Sequence, residues 1–172
     1  MIKNRTDNDY LRIYPKIIDK LKYSLIDWDL ADVRKASKGG AKLGAFILAS
    51  CLIDHLTCYY FGQESSRNDY IEFARRFLPQ YNAEDLYFCI RCKLVHNYSV
   101  DGNYAFTHNK HRLHLRKEDG KIILNLNDFV KDIESATKNY FLAVDNSDTL
   151  KINLAKRYID AGIMSPVEIS NA

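Results

Sequence analysis

A chain of 172 residues is long enough for one domain with a real core and too short for two comfortable ones. Its 47% hydrophobic and 27% charged residues are the balance of a folded globular protein and exclude a low-complexity or disordered chain. The formal net charge of +3 permits a polyanionic partner without requiring one, and four Cys with no apolar leader after Met1 read as reduced thiols of a cytoplasmic protein.

Only three Pro and seven Gly leave room for long helices. From Asp9 to Leu30 apolar side chains recur at Tyr10, Ile13, Tyr14, Ile17, Ile18, Leu21, Leu25 and Ile26, which predicts an amphipathic helix that Pro15 either kinks or starts. Lys38-Gly39-Gly40 is a break. The next run, Ala41 to Phe61, is apolar throughout and has Gly62 as its C-cap. Asp54 and His55 near its middle make it a buried helix rather than a membrane span. A third helix runs from Asn68 to Phe77 and stops at Pro79. Asn82 caps a fourth, with Glu84 and Asp85 in its first turn, that reaches about Asn97.

Beyond it the pattern alternates. Tyr104 to Thr107, Arg112 to Arg116 and Lys121 to Leu126 read as a small β-hairpin or meander turning at Glu118-Asp119-Gly120. Asn127 or Asp128 caps a fifth helix to about Val144, and Ser147 or Asp148 a sixth ending near Gly162. The expected fold is mainly α: a bundle of five to six helices over residues 1–164, with a β-hairpin at about 103–126 inserted after the fourth helix, and a tail at 165–172.

The chemistry concentrates on the fourth helix, in Arg91-Cys92-Lys93-Leu94-Val95-His96-Asn97-Tyr98. A guanidinium stabilises charge on a phosphate and an imidazole moves protons near neutral pH, so the two together suit phosphodiester chemistry. Arg91 falls on a face with Tyr87, Leu94, Val95 and Tyr98, and such a cation needs a partner, an interface or a cleft. At α-helical pitch His96 lies about 140° round from Arg91. The reach of Arg, a loosened helix near Asn97 or a second copy of the chain could close that gap. A plainer reading is an Arg in an internal ion pair and a His capping the helix C-terminus.

Leu86 to Tyr98, with Arg, four residues and then His, resembles the signature helix of the HEPN superfamily, and Ala45 to Leu56 suits that family's core. The resemblance covers roughly Ala41 to Tyr98. It implies a metal-independent endoribonuclease, of the kind found in toxin–antitoxin, CRISPR-associated and phage-exclusion systems, or else a non-catalytic nucleotide-binding or scaffold member. It implies Arg91 and His96 as catalytic residues at a homodimer interface, with Asn97 and Tyr98 in support and no cofactor. The position after the Arg, often Asn, Asp or His in active members, is Cys92 here.

Three further groups stand beside this pair. Asp54 is a natural carboxylate partner for Arg91, orienting it or His96 from the neighbouring helix, with His55 beside it. Cys89, Cys92 and His96 share one helical face, and Cys51, His55 and Cys58 another; facing each other they would offer zinc ligands, although buried core thiols account for the Cys equally. Lys110, Arg112, Arg116 and Lys117, interleaved with His108, His111 and His114 and close to Tyr104 and Phe106, suggest a phosphate-binding strip for RNA or nucleotide. A solvated basic sheet edge explains the same charges.

Overall fold

In the computed structural model, which describes residues 5–97 and 102–161, the chain enters its first helix at Thr6. The Thr6 hydroxyl accepts from the Asp9 N–H and the Asp9 carboxylate accepts from the Thr6 N–H, a capping box that sets the start upstream of Pro15. Pro15 is therefore inside α1 (Asp7–Lys22). The run does not stop at Leu30. It passes through a π-helical stretch, π1 (Tyr23–Leu30), into α2 (Ala31–Lys38) and ends at Gly39.

Helix α3 (Lys42–Phe61) is apolar on every side and becomes the central element, in contact with α2 and the helices that follow. It is long and apolar enough to cross a bilayer by length and composition, but 61% of its most apolar window is buried inside the fold. Gly62 ends it at φ 72°, and its N–H returns to the Cys58 carbonyl. Side-chain caps also start α4 (Arg67–Phe77) at Ser66 and α5 (Ala83–Asp85) at Asn82. The Asn82 cap is where the sequence puts it; Ser66 lies just ahead of the expected start at Asn68. From α5 the backbone continues as π2 (Leu86–Leu94) and α6 (Val95–Asn97) in one helical run.

The insert departs from a simple hairpin. Strands β1 (Tyr104–Thr107), β2 (Lys117–Glu118) and β3 (Lys121–Asn125) form a sheet of order β1-β3-β2. Strand β1 runs parallel to β3, with Tyr104 opposite Ile122, and β2 antiparallel to it. Asp119 and Gly120, at φ 48° and 79°, make the primed two-residue turn between β2 and β3. Arg112 to Arg116 is not the expected strand. His111–Leu113 is a 3₁₀ turn, and Leu115 adopts φ 61°. The cause is burial: His114 and Leu115 are consecutive, both turn toward the core, and a strand would send them to opposite faces.

The β3 residue Asn125 caps α7 (Leu126–Asp145), its side-chain oxygen accepting from the Asn127 and Asp128 N–H groups, so the cap lies two residues ahead of the expected Asn127. Ser147 caps α8 (Asp148–Ala161) by accepting from Leu150 N–H. Helix α8 packs on α1 and α3, closing the first and last helices of the bundle. Tyr60, Phe73, Phe77 and Tyr140 meet largely edge to face in the core. Phe106 of β1 stacks on Phe46 of α3 at 4.4 Å and fastens the insert to the bundle. The fold is thus mainly α with a small sheet placed late in the chain. The expected tail at 165–172 lies outside the described residues.

Candidate functional site

A π turn bonds each N–H to the carbonyl five residues back, so side chains five apart come to one face of the helix. At the end of π2 the Val95 N–H reaches the Ile90 carbonyl in this way. Two side-chain pairs at that spacing meet. Tyr87 and Cys92 lie side by side, and Arg91 Nη1 lies 3.2 Å from His96 Nε2. The divergence of about 140° expected of an α-helix is therefore not present. The loosening that removes it lies upstream of Asn97, along Leu86–Leu94, and the contact forms within one chain.

Helix α3 supplies the anchor. Asp54 Oδ2 accepts from Arg91 Nη2 at 3.1 Å, and Asp54 Oδ1 takes a short hydrogen bond from the Ser65 hydroxyl. Partial burial works against the guanidinium charge, but the Asp54 carboxylate outweighs it and raises the Arg91 pKa. A guanidinium has donors only, so His96 Nε2 is the accepting atom in this contact. Ser50, Cys51, Asp54, Arg91, Val95 and His96 line a cleft of about 220 Å³. The buried hydroxyls of Ser50 and Tyr70 lie near each other, Ser50 in the cleft wall, without meeting in hydrogen-bond geometry.

No family model, curated protein or solved structure matches this chain.

The remaining expected residues distribute unevenly. Asn97 is exposed and does not line the cleft, while Tyr98 lies outside the described residues. His55 faces away from Arg91. Its Nδ1 meets Asp29 Oδ2 at 3.0 Å, and with Asp29, Asp32, Leu48, Cys51 and Leu52 it lines a second cleft of about 260 Å³. Cys51 belongs to both clefts. Burial pushes its thiol pKa up and Asp54 adds to this, with Arg91 partly offsetting them.

The facing arrangement of Cys51, His55 and Cys58 against Cys89, Cys92 and His96 does not form; no group of three metal-ligating side chains assembles among the described residues. Each thiol has other company. Cys92 is turned to Tyr87 by the π register and Cys58 is buried beside Ser65. Cys89 lies under the insert, where a Cβ on Gly102 would come within 2.5 Å of its Sγ.

The basic strip is real as a surface but separate from the cleft. Lys110, Arg112, Arg116 and Lys117 are all exposed, and none lines the Arg91–His96 cleft. Lys110 and Arg112 share a shallow depression with Asn109, His111 and Leu113. The three His diverge in role. His108 is exposed, His111 Nδ1 meets the Asp128 carboxylate at 2.9 Å, and His114 is a partly buried strut. His114 Nδ1 accepts the Asn125 N–H at 3.0 Å, and its Nε2 lies 3.1 Å from the Tyr81 hydroxyl, which donates to Asp132 at 2.5 Å.

Asp29, Ser50, Ser65 and Tyr70 escape the sequence reading. Asp29 and Ser65 join the clefts through His55 and Asp54, and no local pattern marks them or the buried Ser50 and Tyr70 hydroxyls. Only Asp54 carries a signal, a carboxylate in an apolar helix.

Proposed function

We propose that this protein is a metal-independent endoribonuclease of the HEPN type, cytoplasmic and homodimeric, working in a toxin–antitoxin or phage-defence setting with a cognate antitoxin or defence-system partner. The observation that carries the reading is the Arg91–His96 contact in an open cleft, with Arg91 held by Asp54. A phosphate entering the cleft draws the Arg91 guanidinium from His96 and frees Nε2. His96 then takes the proton from the ribose 2′-OH as the 2′-oxygen attacks phosphorus and the bond to the 5′-oxygen breaks. Arg91 stabilises the charge that develops on the phosphoryl oxygens. His96 then gives that proton to the leaving 5′-oxygen, and the products are a 2′,3′-cyclic phosphate and a 5′-hydroxyl. DNA lacks the 2′-OH and does not react. The exposed Lys110, Arg112, Arg116 and Lys117 suit contacts to the RNA backbone beyond the cleft.

The second reading is a non-catalytic nucleotide-binding or scaffold protein of the same type. The observation on its side is that Arg91 occupies His96 Nε2, the nitrogen that a base needs. Cleavage of a varied RNA pool in EDTA separates the two. The ribonuclease reading expects cyclic-phosphate ends from the wild type and a loss of at least about a hundredfold in Arg91→Ala and His96→Ala. Cleavage that survives both substitutions removes the catalytic assignment, and nucleotide binding without cleavage favours the scaffold.

A further inference from the structure

The two clefts that meet at Cys51 have opposite chemical character. On one flank of α3 the Arg91 guanidinium, tethered by Asp54 and lying against His96, keeps donors that an anion can meet. On the other flank Asp29 and Asp32 present carboxylates above a wall of Leu48 and Leu52, with His55 beside them. Leu48, Cys51, Leu52 and His55 follow one another at spacings of three, one and three residues, so a single stripe of α3 forms one side of this second cleft. Two carboxylates repel a phosphate, so a nucleotide that spans both clefts has one orientation: phosphate at Arg91, base at Asp29 and Asp32.

We infer that the Asp29–Asp32 cleft is a base-recognition subsite selective for guanine, an inference that rests on the ribonucleotide reading of the neighbouring Arg91–His96 cleft. An ionised carboxylate only accepts hydrogen bonds. On its Watson–Crick edge guanine presents two adjacent donors, the N1–H and the 2-amino group. Adenine and cytosine each set one donor beside an acceptor, and uracil sets its single donor between two acceptors. A carboxylate paired with guanine therefore satisfies both of its oxygens, and with any other base it faces an acceptor. Asp29 is fixed for this role. Its Oδ2 meets His55 Nδ1 at 3.0 Å, the carboxylate side chain is 34% exposed, and its other oxygen takes no hydrogen bond among the described residues. Among the described residues Asp32 meets Lys35 at 3.5 Å on the exposed surface, a contact that yields readily to a ligand. The apolar wall of Leu48 and Leu52 gives the purine face a surface to lie on.

Equilibrium binding of the 5′-monophosphates of guanosine, inosine, adenosine, cytidine and uridine to the full chain tests this without reference to cleavage. Inosine lacks only the 2-amino group. The guanosine nucleotide is expected to bind roughly tenfold or more tightly than the inosine nucleotide and the other three. Asp29→Asn, which keeps the shape, and the exposed Asp32→Asn each bring guanosine and inosine nucleotides closer in affinity, with circular dichroism confirming the fold. Arg91→Ala weakens guanosine monophosphate and leaves guanosine itself unchanged. Equal affinities for the guanosine and inosine nucleotides on the wild type, a preference that survives both Asp substitutions, or no saturable binding at millimolar nucleotide overturns the subsite. Guanine preference with no RNA cleavage overturns the ribonuclease reading alone. Cleavage dependent on Arg91 and His96 without guanine preference overturns the subsite alone.

Discussion

The link between Arg91 and Asp54 fixes where the guanidinium can act, and its strength can be measured. At 3.1 Å the gross attraction between the charges is about 1.3 kcal/mol at the permittivity of water and about 5 kcal/mol at an effective value near 20. The side chains are 30% and 26% exposed, so the pair belongs between these limits, and desolvation and side-chain ordering remove much of the gross figure. A net coupling of about 1–2 kcal/mol is expected. A double-mutant cycle of Asp54→Asn, Arg91→Met and the double variant, read by urea unfolding, isolates that term. Each single variant should lower the midpoint, and the double variant should fall short of their sum by the coupling energy. For a chain of this size that loss corresponds to a melting-temperature fall of roughly 2–8 °C in Asp54→Asn. A coupling below about 0.3 kcal/mol, within the scatter of independent sites, would show that Asp54 does not anchor Arg91.

Two further outcomes concern the scaffold. Gly62→Ala puts a Cβ 2.9 Å from the Asn153 Cα at φ 72°, whereas Gly120→Ala, at φ 79°, has nothing within 4 Å. The first should cost about 2–4 kcal/mol in thermal unfolding and the second about 1–2 kcal/mol; equal losses would refute the role of the α3–α8 contact. Against the burial that opposes its charge, hydrogen bonds from His114, Tyr81 and Gln80 hold the Asp132 carboxyl below its ordinary 3.8. Stability from a lowered carboxyl is present above the unfolded value and lost as pH falls through the folded one. Asp132→Asn should therefore be less stable than wild type by about 1–2 kcal/mol at neutral pH, with the gap narrowing in acid. A gap unchanged from about pH 6 to about pH 2 rules out this account.

The order of the helices, their main breaks and the central place of α3 were legible because each rests on local chemistry. Gly62 and Asn82 stop and start helices by their own conformational and hydrogen-bonding preferences, and an all-apolar run must be buried wherever it occurs. The residues of the candidate site were legible for a similar reason, since Arg and His beside apolar side chains draw attention whatever the fold. Their geometry was not. Sequence spacing becomes an angle only after a helical pitch is assumed, and π2 changes that pitch, so Arg91 and His96 meet where an α-helix would part them. The insert shows the same limit. Alternation at Arg112 to Arg116 suggests a strand, but Tyr81 and Asp132, distant in the chain, draw His114 inward and break it. By itself the sequence determined what each segment prefers and which side chains carry chemistry. Helical register, the direction of β1 against β3 and the pairing of Asp54 with Arg91 and His55 with Asp29 were decided by tertiary packing, because each depends on groups that meet only once the chain has folded.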